Sequence, residues 1–215
     1  MHRHADLTRY PGVVLDEETL CVEEFVILGV PPRGAEPGAL ETRLGRHALL
    51  RSHTVIYAGN VIGDRFQTGH GVLVREHNEI GDDVSIGSHS IVEHHVIIGD
   101  GVRIHSNAFV PEHSVLEAGC AIGPGTVLTN SRYPWSPEAK ATLRGPHVER
   151  GAIIGAGVTL LPGVRVGARA LVGAGAVVVE DVPPGAVVVG NPARVVRRID
   201  DIPAYQARPA GKERP

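Results

Sequence analysis

The chain has 215 residues, a formal net charge of −3 at pH 7 and only 4% aromatic residues, with one Trp. That length allows a single domain with a sizeable core, and so few rings argue for thin layers of Val, Ile and Leu rather than a mixed globular interior. The small net charge without a long basic run speaks against a nucleic-acid or anionic-membrane binder, and Cys21 and Cys120 are too few for a disulfide framework.

Met1 to Tyr10 is polar, with His2, Arg3, His4 and Asp6, and has no apolar run of the kind that opens a secretory leader. No stretch of about eighteen apolar residues follows anywhere, so a cytoplasmic protein is expected. Val13 to Gly29 reads as an opening coil, with Val22 and Leu28 six apart. Val30 to Gly38 (VPPRGAEPG) breaks the register, which places a surface excursion at about 30–43.

From Leu44 to Leu128 an aliphatic residue then falls on every sixth position: Leu44, Leu50, Ile56, Ile62, and so on to Ile122 and Leu128, with Thr68 the one exception. Four residues after each comes a small or apolar partner such as Ala48, Phe66, Val84 or Cys120. A helix would space apolar residues by three and four, and a half-buried strand by two. A period of six means a short strand and a corner, repeated, with each rung buried only when the next stacks on it. Residues 131–150 (SRYPWSPEAKATLRGPHVER) interrupt the series and carry Tyr133 and Trp135. It resumes in a new phase at Ile154, Leu160, Val166, Val172 and Val178. A loop of that length is expected to be functional. The tail, 199–215, is polar and rich in Pro, and is expected to be disordered.

This pattern resembles the hexapeptide-repeat family over about residues 13 to 196. The resemblance implies an all-β, left-handed parallel β-helix, a triangular prism forming one domain over residues 1–198. The segment VGAGAVVVEDVPPGAVVVGNPARVVRRI resembles the C-terminal end of hexapeptide acyltransferases. By that resemblance the protein is a homotrimer with acetyl-CoA as co-substrate in a groove between subunits. Ala156, Gly173, Ala174 and Arg194 would then face the coenzyme, the small residues letting it approach the backbone.

Twelve His is a high count, and eight lie between His53 and His113. Counting the inward aliphatic residue as position one, His70 and His94 take position three, and His53, His77, His89, His95 and His113 take position four. Both positions face outward. Residues eighteen apart stack about 4.8 Å from one another, so His77, His95 and His113 form one column. Glu76, His94 and Glu112 form the next. A carboxylate beside an imidazole favours its charged form and selects its tautomer, which suits a general base.

The string IVEHHVIIG around His94 resembles the catalytic segment of sugar N-acetyltransferases of this fold, where a His in this phase deprotonates the acceptor. The acidic neighbour usual there is His95 here, with Glu112 or Glu76 as substitute partners. The stretches from Leu50 and from Leu128 to Pro134 resemble transferases that acetylate a 3-amino sugar on a nucleotide diphosphate. Together, the columns, the loop and the resemblance make His94, Glu112 and Asn107 the candidate catalytic residues, and His70, His95, His105, Asn130, Tyr133 and Trp135 the candidate substrate-binding ones. In some such relatives the coenzyme's sulfur takes the proton instead of a side chain. The expected function is an acetyl-CoA-dependent amino-sugar N-acetyltransferase without a metal.

Two other readings stay open. His53, His89 and His94 match in spacing and phase the three zinc ligands of the γ-class carbonic anhydrases, and three imidazoles with one open position would activate water. A non-catalytic trimeric scaffold is the other, since a repeat specifies fold and not chemistry.

Overall fold

The computed structural model describes residues 7–206. The chain winds around three parallel sheets, which we call faces A, B and C in the order the chain visits them. In a regular coil each face receives a two-residue strand: Leu73–Val74 on A, Glu79–Ile80 on B, Ser85–Ile86 on C. The next coil repeats this eighteen residues on, with Leu73 beside Ile91, Glu79 beside Ile97 and Ser85 beside Arg103. This is the three-sided coil of parallel strands expected from the hexads, consistent with the left-handed prism that the resemblance implies. No helix among the described residues is long and apolar enough to cross a membrane.

The interior is filled as the period requires. Every position-one residue from Leu44 to Leu128 is buried, and so is every partner four residues later. Thr68 is buried too, and its exception has a polar reason. Its hydroxyl lies 2.8 Å from that of Thr54 and accepts the Arg51 N–H at 3.1 Å, so both buried hydroxyls are satisfied. Phe66 fills a layer between Ala48 and Val84, which are its neighbours eighteen residues away on either side.

The corners explain the histidine count. Position four adopts left-handed backbone from His47 through Gly125, at φ between 56° and 87°. Where it is not Gly it is His47, His53, Arg65, His77, Asp83, His89, His95, Asn107 or His113. Asn, Asp and His enter this region more readily than other side chains. Much of the His enrichment therefore belongs to corner geometry.

Both interruptions leave the prism at the same corner, between faces A and B. The first departs after Val30 and rejoins at Thr42, inside the expected 30–43. The second departs after Leu128 and closes at His147, earlier than the expected Arg150, because His147–Val148 is a strand of face B paired with Val115–Leu116. Its neck is tied where Asn130 O accepts the Arg144 N–H at 2.8 Å. Two ends also differ from expectation. Leu7–Arg9 already pairs with Val26–Leu28, so the helix begins before Val13. At the other end Ala186–Val189 and Arg194–Arg198 form an antiparallel hairpin. Of the tail expected to be disordered, Ile199–Asp201 is a 3-10 turn and Pro203–Gln206 a turn of helix. Ile199 is buried and its N–H donates to Gly185 O, which holds the turn against the last coil. Residues 207–215 lie outside the described residues.

Candidate active site

The corner between faces A and B gathers a cluster of interacting ionisable side chains. In three successive coils, position two at this corner carries Tyr57, Arg75 and Glu93 rather than the glycines common on the other two edges. The Arg75 guanidinium holds Glu76 through two 2.8 Å hydrogen bonds, reaches Glu93 at 3.2 Å and lies 5.3 Å from the Tyr57 ring centroid. Glu76 is buried. Burial alone would raise its pKa, but Arg75 and the nearby His94 outweigh that and hold it below the usual carboxylate value.

The backbone beneath is braced from inside. Asn60 Nδ2 donates to Tyr57 O and Arg75 O, and Asn78 Nδ2 to Arg75 O. Their Oδ1 atoms accept the N–H of Asn78 and of Val96. Two buried amides thus knit three successive coils under the residues that carry Arg75, His77 and His95.

His94 stands at the centre. Its Nδ1 lies 2.8 Å from His95 Nδ1, and its Nε2 lies 3.4 Å from Glu112 Oε1. The other oxygen of Glu112 is 3.9 Å from His113 Nε2. The His95 ring centroid sits 5.1 Å from that of His77 and 5.9 Å from that of His113. Partial loss of solvent, followed by the charges of His94, His77 and His113, pushes the His95 pKa below its ordinary value. Of the two carboxylates expected to flank His94, Glu112 makes the contact and Glu76 is committed to Arg75.

His95 gives a pH dependence with a definite sign. Its folded pKa lies below 6.5, so the unfolded chain binds more protons just below that pH and stability falls as pH drops through 6.5. Glu76 and Glu117, both held below 4.5, add a second loss under that value. Thermal melts should be flat above neutrality, decline below 6.5 and steepen below 4.5. His95→Asn should remove the first decline alone.

The residues read from sequence do not gather on one edge. His94, His95, Glu112 and Asn130 share the A–B corner, where Asn130 Nδ2 donates to Glu112 O at 3.5 Å. Tyr133 and Trp135 stand on the loop rising from it, and Trp135 is fully exposed with φ 69°. His70, His105 and Asn107 lie on the corner between faces C and A, all exposed. His70 Nδ1 is 2.8 Å from Ser52 Oγ there. Ala156, Gly173 and Ala174 continue that same edge, and Arg194 stands exposed on the terminal hairpin. Gly173 has a packing reason of its own, because a Cβ there would come within 2.7 Å of the Val189 side chain.

The possible zinc set separates likewise: within one chain His53 and His89 lie on the C–A edge and His94 on the A–B edge. Among the described residues the side chains that could converge on a cation are instead Glu93, His94 and Glu112, with candidate ligand atoms within 4.8 Å of one another. Sequence reasoning passed over Arg75, Glu93, Asn60 and Asn78. The available signal was the eighteen-residue column, which was applied to the histidines but not to the residues stacked beside them.

Comparison with known proteins follows the same lines. The bacterial transferase hexapeptide model, of six repeats, matches residues 77–112, 95–130 and 145–179. The 2,3,4,5-tetrahydropyridine-2,6-dicarboxylate N-acetyltransferase of Brevibacillus brevis is 45% identical over 82 residues, 38% of this chain and 32% of that protein. That of Halalkalibacterium halodurans is 48% identical over an equal span. The match thus takes in about a third of the length of these curated relatives. Among solved structures, the Arabidopsis UDP-N-acetylglucosamine acyltransferase superposes with a TM-score of 0.60 at 16% identity, covering 91% of this chain and 73% of that one. The polySia-specific acetyltransferase NeuO gives 0.51 at 16% identity, covering 91% and 96%. These two likenesses concern the fold.

Proposed function

We propose that this chain, a member of the hexapeptide-repeat family, is an acetyl-CoA-dependent N-acetyltransferase that works as a homotrimer. The observation that carries this reading is the group of His94, hydrogen-bonded to His95 and paired with Glu112, at the foot of an inserted loop. It supplies a proton acceptor at a solvent-facing corner, beside an inserted segment with two exposed aromatic rings. The N-acetyltransferase names of the matching relatives support the same chemistry.

The trimer is supported by two further observations. Face A presents an outward run of Val55, Leu73, Ile91, Phe109 and Val127, apolar over five coils before Thr159 interrupts it. The residues assigned to acceptor and coenzyme also divide between two edges of the prism, so that a second copy completes the site. Acetyl-CoA would lie along the C–A edge of one copy, against Ala156, Gly173, Ala174 and Arg194. The A–B corner of the next copy would face it.

The amine attacks the thioester carbonyl, and its proton passes to the histidine pair. A backbone N–H at a corner stabilises the oxyanion, an interaction worth about 3 kcal/mol in comparable sites. The coenzyme leaves as the thiolate and recovers the proton. This route calls for no metal. Asn130, Tyr133 and Trp135 would hold the acceptor, with an amino sugar, nucleotide-linked and of the 3-amino-deoxyhexose type, as its class. The relatives' names make a small dicarboxylate the comparison acceptor.

Calorimetric titration with acetyl-CoA should show saturable binding close to one per chain, followed by turnover with amino-sugar nucleotides. Absence of binding would overturn the reading. Turnover with the dicarboxylate alone would keep the reaction and replace the acceptor.

A further inference from the structure

We infer that the proton acceptor in this site is His95 Nε2, and that His94 and Glu112 are positioning residues that hold His95 in the tautomer leaving that nitrogen free. The inference rests on the acetyl-transfer reading for its reaction, and on hydrogen-bond geometry for its assignment.

Two imidazole Nδ1 atoms 2.8 Å apart require one to donate and the other to accept. The choice is made at the far side of His94. Its Nε2 lies 3.4 Å from Glu112 Oε1, and a lone pair that close to a carboxylate would be repelled, so the proton of a neutral His94 belongs on Nε2. His94 Nδ1 is then the acceptor, and His95 Nδ1–H the donor. A neutral His95 with its proton on Nδ1 keeps its Nε2 lone pair unused.

Exposure agrees, since His95 is exposed at the corner whereas the His94 side chain is 25% exposed. Both nitrogens of His94 are engaged. The ionisable groups around His95 are His94, His77, His113 and Glu76. Partial loss of solvent and the neighbouring imidazoles oppose a charge on His95, so the resting ring is neutral and its lone pair is available.

In the reaction the amine nitrogen forms its bond to the thioester carbon. The N–H bond then breaks toward His95 Nε2, and the C–S bond breaks toward sulfur. The imidazolium returns its proton to the thiolate, so the products are the amide and the free thiol. His94 accepts the His95 Nδ1–H throughout, and Glu112 keeps His94 from turning over.

Two asparagine variants separate the roles. An asparagine carbonyl can occupy the place of His94 Nδ1, so His94→Asn still accepts from His95 and should keep turnover within about 10-fold of wild type. His95→Asn suits the left-handed corner, as Asn107 does at its own, but has no basic nitrogen. It should lower kcat by about 100-fold or more with the acetyl-CoA KM unchanged, and flatten the acidic limb of the pH profile. Equal losses in the two variants would overturn the assignment.

Nitrogen-15 spectra of labelled, unliganded protein near pH 8 give a readout independent of turnover. A proton on His95 Nδ1 and on His94 Nε2 is expected, and a proton on His95 Nε2 would overturn the inference. Failure of the transfer reading shows separately, as absence of acetyl-CoA binding.

Discussion

Ile91→Glu combined with Phe109→Glu should yield a folded monomer whose acetyl transfer has fallen by about 100-fold or more. The two side chains are neighbours on adjacent coils of face A and point outward. The residues that follow them, Val92 and Val110, are fully buried in the core, so the substitutions leave the interior untouched. Two carboxylates in an apolar contact between copies would have to be desolvated without partners, a cost that packing does not offset. In the proposed trimer, parting the copies takes the C–A edge of the neighbouring copy away from the A–B corner that carries His94 and His95. Misplacement of reacting groups by even about 1 Å can cost 100-fold, and separation costs more. Light scattering reports the mass, circular dichroism the retained β-helix, and thiol release the turnover. A monomer that transfers acetyl groups at the wild-type rate would sink the shared site.

Phe66→Ala carries the largest expected effect on stability, about 3–5 kcal/mol. Phe66 is the largest wholly buried side chain. Its ring occupies a layer whose neighbours along the prism include Ala48 below and Val84 above. The small residue makes room for the large one, so truncation opens a void that neither neighbour can fill. Each coil rests only on the coils next to it, and the loss should spread first toward the nearer, N-terminal end. Amide hydrogen exchange should show protection falling between Leu44 and Ile86 while Ile154 to Val178 keeps its rates. Uniform loss over all coils would mean that the prism unfolds as one unit. Little change in the unfolding midpoint would mean that the layer collapses onto the void.

The period of six made most of the fold legible. Leu44, Phe66 and Leu128 could be placed inside, and His94 and His95 outside, because a two-residue strand and a tight corner leave each position only one direction to point. The alignment of Glu76, His94 and Glu112, and of His77, His95 and His113, followed from the coil length. Two things escaped this logic. Asn60 and Asn78 read as small or apolar partners, yet their amides brace the corner, since the period records that a site is inward and not what it bonds. The closure of the second loop was placed too late because Pro146 and His147 disguise Val148, six residues before Ile154, as part of the insertion.

Chain order also hid which corner each residue belongs to once the first excursion shifts the count. Only the folded chain shows that both insertions and the His94 group share the A–B corner, while His70, His105, Asn107 and Ala156 share another. The pairings made there are equally a matter of tertiary structure. Arg75 takes Glu76, and Glu112 takes His94, because rotamers and competing partners in neighbouring columns choose among contacts that spacing alone leaves equal. The sequence by itself determined the coil, its inward layers and its outward columns, since steric repetition permits one solution. Which outward groups meet was decided by the tertiary structure, because those choices turn on differences of a few tenths of an ångström among contacts between adjacent and stacked residues.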